Sequence, residues 1–237
     1  NHPPAPSDQL GPHLYASTIP SWKLVADWFW EENRHLAKAP IEARRKMVEW
    51  TEGEADELEA IYRGVADKLG NLYIDYDNAK AEGRSAAEIF ADEYADSVEK
   101  SLLLRAMLRQ KGHKAELVLL QRSYLGEIQK QSPSPLVFSH ALVGIEPAEP
   151  GQNWFFLDPT LRMVKPGVLA PHSCERPALV VRQNGPAEWL RLPRAESAKL
   201  TYEFDLKADQ LGRLEGWVTV TADGYHAGQL GDELPLK

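Results

Sequence analysis

Apolar residues recur at helical spacing through the first half of the chain and at alternating spacing through the second, and the change falls at Gly112. Ser21 is placed to cap a first helix running to about Leu36, with Trp22, Val25, Trp28 and Phe29 as its inward stripe. Trp30 lies round the helix from that stripe and is expected to face another domain. A second helix runs from Pro40 to about Trp50 on Ala43, Met47 and Trp50. A third spans Glu54 to Leu69, where Leu58, Ile61, Tyr62, Val65 and Leu69 keep the helical period without a break. Leu72–Tyr76 reads as a short strand, Asn78–Arg84 as a polar loop, and Ser85 as the cap of a short helix, Ala86–Tyr94.

The helix that follows organises the rest. Asp96 with Glu99 three residues on forms a capping-box pattern. Leu102, Leu103, Ala106 and Met107 make a buried face that Leu104 and Leu108 widen, and Gly112 stands where a left-handed C-cap is expected. Beyond it Lys114–Ser123 reads as a strand apolar on both faces, with Ala115, Leu117 and Leu119 on one and Val118 and Leu120 on the other. Tyr124–Pro135 is a polar loop of the kind that borders a groove. Leu136–Ile145 and Asn153–Leu157 follow as strands joined through the turn Glu146–Gln152. A hairpin centred on Glu149 sets His140 directly opposite Asp158, close enough for a carboxylate to hold an imidazole.

After Val164 the pattern loosens. Prolines at 166, 171, 177, 186 and 193 punctuate short extended pieces, Ala178–Arg182 and Glu188–Leu192 among them. Two alternating strands, Lys199–Lys207 and Arg213–Ala222, are then joined through Ala208–Gly212 as a hairpin. The expected division is a proline-rich lead-in over 1–20, a domain over 21–165, and a β-rich C-terminal segment over 166–237, incomplete at Lys237.

Composition narrows the classes. A length of 237 residues supports one sizeable core, and 43% hydrophobic with 26% charged residues is ordinary for a globular chain. A net charge of −8 without a compensating basic run argues against a nucleic-acid surface. No run approaches the length of a membrane span. The single cysteine, Cys174, allows no intrachain disulfide. It lies in the irregular stretch Pro171–Pro177, two residues from His172, and is not expected to serve as a nucleophile. His2 and His13 follow no ligand spacing, so no metal and no cofactor is expected. Because the chain starts at Asn1, it is read as a piece of a longer polypeptide, with any leader upstream.

Three segments carry a family resemblance. Ala95-Asp96-Ser97-Val98-Glu99-Lys100 resembles the Gly-Asp-Cys-Lys-Asp-Lys motif that opens the central helix of bacterial transglutaminase-like domains. Phe138-Ser139-His140 and Phe156-Leu157-Asp158-Pro159-Thr160 resemble that family's histidine and aspartate segments. The resemblance covers roughly Ser21 to Thr160, and the tail shares the family's style at Leu214–Gly216 and Asp223–Tyr225. It implies an α+β fold with a papain-like core, in which N-terminal helices and a central helix pack on an antiparallel sheet, followed by a sandwich-like β segment. It also implies triad positions at Ser97, His140 and Asp158, with serine where the family has cysteine.

In such a site the helix N-terminus and a histidinium lower a thiol's pKa from about 8.5 to roughly 3–4, and the thiolate attacks an amide carbonyl. An alcohol cannot be pre-ionised in that way and needs a neutral histidine as base. Ala95 in place of glycine and Val98-Glu99 in place of Lys-Asp are further departures, and they favour natural drift over a deliberate replacement of cysteine. Taken singly, Ser97 is an ordinary first-turn residue, His140 a core histidine and Asp158 a turn former. The expectation is a degenerate, non-catalytic domain that binds a peptide or protein. The alternatives are a serine acyl hydrolase using Ser97, His140 and Asp158, and a structural spacer in a larger exported protein. The resemblance places the protein in the periplasm or outside the cell.

Overall fold

A computed structural model describes residues 14–72, 84–149, 151–183 and 185–233. Three amphipathic helices come first: α1 (Trp22–Ala37), α2 (Ile41–Thr51) and α3 (Glu57–Lys68). Ser21 caps α1 by accepting from the Leu24 amide, and Asp56 caps α3 by accepting from the Glu59 amide at 3.0 Å. A two-residue strand β1 (Gly70–Asn71), helix α4 (Ala86–Asp92) and strand β2 (Tyr94–Ala95) follow. Ser85 and Glu88 form a full capping box at the start of α4. Glu93 closes that helix in the left-handed region at φ 59°, which turns Tyr94–Ala95 into parallel pairing with β1. The expected helix through Tyr94 therefore ends two residues earlier. Tyr73–Tyr76, most of the expected loop up to Arg84, and His2 and His13 lie outside the described residues.

The central helix α5 (Ser97–Gln110) is buried along its whole body, from Val98 to Leu108. Its charged residues find partners, whereas among the described residues the buried Ser101 hydroxyl is left without a hydrogen bond. Glu99 receives Arg84, with Nη2 to Oε2 at 2.6 Å. Arg105 donates to Glu116 at 2.9 Å. The Lys100 ammonium, at 0% exposure, donates to Leu69 O and Asn71 Oδ1 at 2.7 Å each and reaches Ala66 O at 3.4 Å and Pro159 O at 3.3 Å. Gly112 takes φ 88°, the left-handed stop expected of it.

Beyond α5 lie β3 (Ala115–Leu120), β4 (His140–Ile145), β5 (Phe155–Leu157), β6 (Pro177–Val181) and β7 (Glu188–Arg191). They form one antiparallel sheet in the order β5-β4-β3-β6-β7, so the chain is an α+β protein. β3 is central, which accounts for its two apolar faces. Leu117 and Leu119 join the main core with α1, α3 and α5. Val118 and Leu120 join a smaller core on the opposite face with Leu142, Phe156, Leu169, Cys174 and Leu192. Gly144 is needed there, because a Cβ on it would come within 2.9 Å of the Trp154 ring and 3.0 Å of Val118.

Three expectations are corrected. The division at residue 165 runs through the sheet, since β6 pairs with β3 over Leu117–Leu120 and β7 pairs with β6. Among the described strands past residue 165, those outside that sheet are the hairpin pair β8 (Leu200–Ala208) and β9 (Leu214–Ala222), which helix α6 (Gly224–Glu233) follows. Trp30 is buried within this fold, with the Arg105 guanidinium 4.7 Å from its ring centroid, while Trp28, expected in the inward stripe, is 44% exposed. The β4–β5 register pairs Val143 with Leu157, two residues away from the expected pairing.

Candidate functional site

Ser97 and His140 each open an element, and Asp158 lies just past one. Ser97 is the first residue of α5, half-buried, and among the described residues its hydroxyl makes no hydrogen bond. Two of the free amides at that helix end are already spent, because Asp96 Oδ1 accepts from Val98 N at 2.8 Å and Glu99 N at 2.9 Å. Glu99 Oε2 in turn accepts from Asp96 N at 3.0 Å. Burial first, and the neighbouring Glu99 charge second, push the Asp96 carboxyl up to about 6. Arg84 closes over this turn, bonded to Glu99, to Asp92 at 3.0 Å and to Tyr94 O at 2.9 Å.

His140 opens β4, and its side chain is 1% exposed. Asp158 lies one residue past β5 and is fully buried. His140 Nε2 is 2.9 Å from Asp158 Oδ2. The two meet although the register differs from the expected one, because a shift of two residues keeps every side chain on its face and makes this pair diagonal neighbours. Asp158 Oδ1 accepts from Thr160 N at 3.0 Å and Thr160 Oγ1 at 2.6 Å. Burial alone would raise the Asp158 carboxyl, but His140 and the two Thr160 bonds outweigh it and hold the group at about 2. The segment is braced from the helices as well. The Tyr62 hydroxyl donates at 3.1 Å to Asp158 O and lies 3.2 Å from Leu161 O, and Lys100 reaches Pro159 O.

The other ring nitrogen of His140 is also taken. Arg122 Nη2 lies 2.9 Å from Nδ1. A guanidinium only donates, so Nδ1 is the acceptor and the ring proton resides on Nε2, facing Asp158. Arg122 follows the end of β3, and its amide donates to Ser139 Oγ at 3.0 Å. The sequence reading missed it. Its signal was positional: β3 and β4 pair Leu120 with His140, so a side chain two residues beyond Leu120 lies diagonal to the histidine. His172 sits nearby, with its carbonyl accepting from Ser123 N at 2.8 Å. Its ring lies 5.8 Å from that of Tyr124 and 6.2 Å from that of Tyr225. Burial first, then the Arg122 charge, lower its pKa to about 4.

Cys174 belongs to the smaller core rather than to this site. Its thiol donates to Ala170 O at 3.3 Å, and burial pushes it up to about 11, away from the range of a reactive thiolate. Among the described residues no group of three or more His, Cys, Asp or Glu is placed to hold a metal ion, and no helix is long and apolar enough to cross a membrane.

No protein-family model matches the sequence, and no curated protein matches it at a significant level. One solved structure, a putative protease from Parabacteroides distasonis ATCC 8503, superposes with a TM-score of 0.45 and 15% identity, over 60% of this chain and 30% of that one. At so distant a likeness, nothing about the chemistry of this chain follows from the neighbour.

Proposed function

We propose that this chain is a degenerate transglutaminase-like domain with a papain-like core, whose remnant cleft binds a peptide or protein partner without cleaving it. The observation that supports this reading is the 2.9 Å contact between Arg122 Nη2 and His140 Nδ1. Attack by a serine requires its proton to pass to a ring nitrogen with a free lone pair. Nε2 carries the proton held by Asp158, and the lone pair of Nδ1 is engaged by Arg122. No basic nitrogen is left to turn toward Ser97.

Treatment with a fluorophosphonate probe tests the proposal. Ser97 should stay unmodified, at a level indistinguishable from a Ser97→Ala control. Modification at Ser97 that disappears in His140→Ala would overturn it. That outcome would establish the second reading, a serine acyl hydrolase, whose support is the intact His140–Asp158 hydrogen bond.

A further inference from the structure

We infer that Arg122 is the anchor for a ligand carboxylate, so that the surface beside it takes peptides through an acidic group. The inference rests on the binding reading given above and names the chemistry of the partner. Arginine drawn into a protein normally brings an acid with it, since a charge removed from water and left unpaired is costly. Four arginines here follow that rule. Arg84 pairs with Glu99 at 2.6 Å, Arg105 with Glu116 at 2.9 Å, Arg182 with Glu146 at 2.6 Å, and Arg176 with Glu127.

Arg122 departs from it. The residue is half-buried, and among the described residues no carboxylate lies within ion-pair reach of it. Its Nη2 donates to a neutral imidazole nitrogen and its Nη1 to the Tyr124 hydroxyl at 3.4 Å. Its Nε is buried without any hydrogen-bond partner. The nearest buried acid, Asp158, stands across the His140 ring and is committed to Nε2 and to Thr160. His172, with a pKa of about 4, is uncharged near neutral pH and adds no competing cation.

The Arg122 Nη1 partner, Tyr124, is 54% exposed, beside Leu125 at 42%. With Nε buried and Nη2 on His140, Nη1, held only by a 3.4 Å contact to Tyr124, is the donor that takes the carboxylate, and the exposed aromatic and aliphatic rim suits the chain that carries it.

Three pentapeptides test this with the full chain, followed by NMR of the Arg122 Nε–H and the His140 ring nitrogens. One is acetyl-Ala-Ala-Glu-Ala-Ala-amide, the second has Gln for Glu with a free C-terminal carboxylate, and the third has Gln with an amide end. At least one carboxylate peptide should shift both side chains and bind about tenfold more tightly than the neutral peptide, as one charge-assisted contact implies. Whichever of the two does so identifies the source as a side chain or a chain terminus. Arg122→Met should abolish the difference, and Arg122→Lys should retain part of it, which keeps the test valid if the methionine variant fails to fold. Equal affinity for all three peptides, or binding that leaves the Arg122 resonance unmoved, overturns the assignment. Cleavage of any peptide would instead overturn the non-catalytic reading, a separate readout from the same samples.

Discussion

Asp158→Asn perturbs the buried pair at the heart of the site, and its cost can be worked from the contacts. The carboxylate accepts three hydrogen bonds, one from His140 and two from Thr160. An asparagine has one acceptor oxygen. If that oxygen serves Thr160, the amide N–H faces the proton on His140 Nε2. If the imidazole changes tautomer to relieve this, Nδ1–H faces Arg122. Either arrangement leaves a buried donor unmatched, at about 1–3 kcal/mol.

The lost charge adds a second component. A carboxyl held at about 2 instead of 3.8 contributes about 2–3 kcal/mol at neutral pH. The sign is that of a depressed acid: the contribution is complete above the unfolded value of 3.8 and disappears as pH falls through the folded value of about 2. At pH 3 roughly half of it should remain. Urea titrations followed by the fluorescence of the seven tryptophans, at pH 7, 4.5 and 3, measure the difference between wild type and variant. A loss of about 3–5 kcal/mol at pH 7 that narrows by about 1 kcal/mol at pH 3 is expected. A loss under about 1 kcal/mol, or one that stays constant on acidification, would refute the reasoning.

Two further substitutions probe the scaffold. Gly64→Ala should destabilise by about 1–3 kcal/mol in thermal or urea unfolding despite alanine's better helix propensity, because the new Cβ would stand 2.1 Å from the Trp50 ring. Asp96→Asn keeps a capping oxygen but removes a carboxylate whose folded pKa is raised to about 6. Wild-type stability should therefore fall relative to the variant as pH rises from about 4 to 6, by up to about 3 kcal/mol, and matched urea titrations across that window measure it.

What the sequence disclosed was chiefly local. Ser21, Ser85 and Asp96 cap the helices they were expected to cap, because a capping side chain needs only its own next turn. The hairpin of β8 and β9 was equally legible, since its alternation and its turn are adjacent in the chain. Contacts between distant segments were not. Helical spacing puts Trp28 in the inward stripe and Trp30 outside it, whereas the fold buries Trp30 beneath Arg105 from α5 and leaves Trp28 exposed. Ala178–Arg182 and Glu188–Leu192 were legible as extended pieces, but only β3, more than fifty residues upstream, assigns β6 and β7 to the central sheet. His140 and Asp158 could be brought together from strand spacing, whereas Arg122 becomes a neighbour of the histidine only through the β3–β4 register.

The Lys100 ammonium has a consequence for how the chain acquires this shape. Among the described residues, oxygen acceptors reach it from positions 29 to 59 residues away: the end of α3, strand β1 and the segment after β5. A partly assembled intermediate in which α5 has docked but these acceptors have not arrived would strand a bare ammonium in hydrocarbon, at several kcal/mol. Burial of the helix and closure of the Pro159 segment are thereby coupled energetically, and the backbone flanking Asp158 is expected to order together with the seating of the helix.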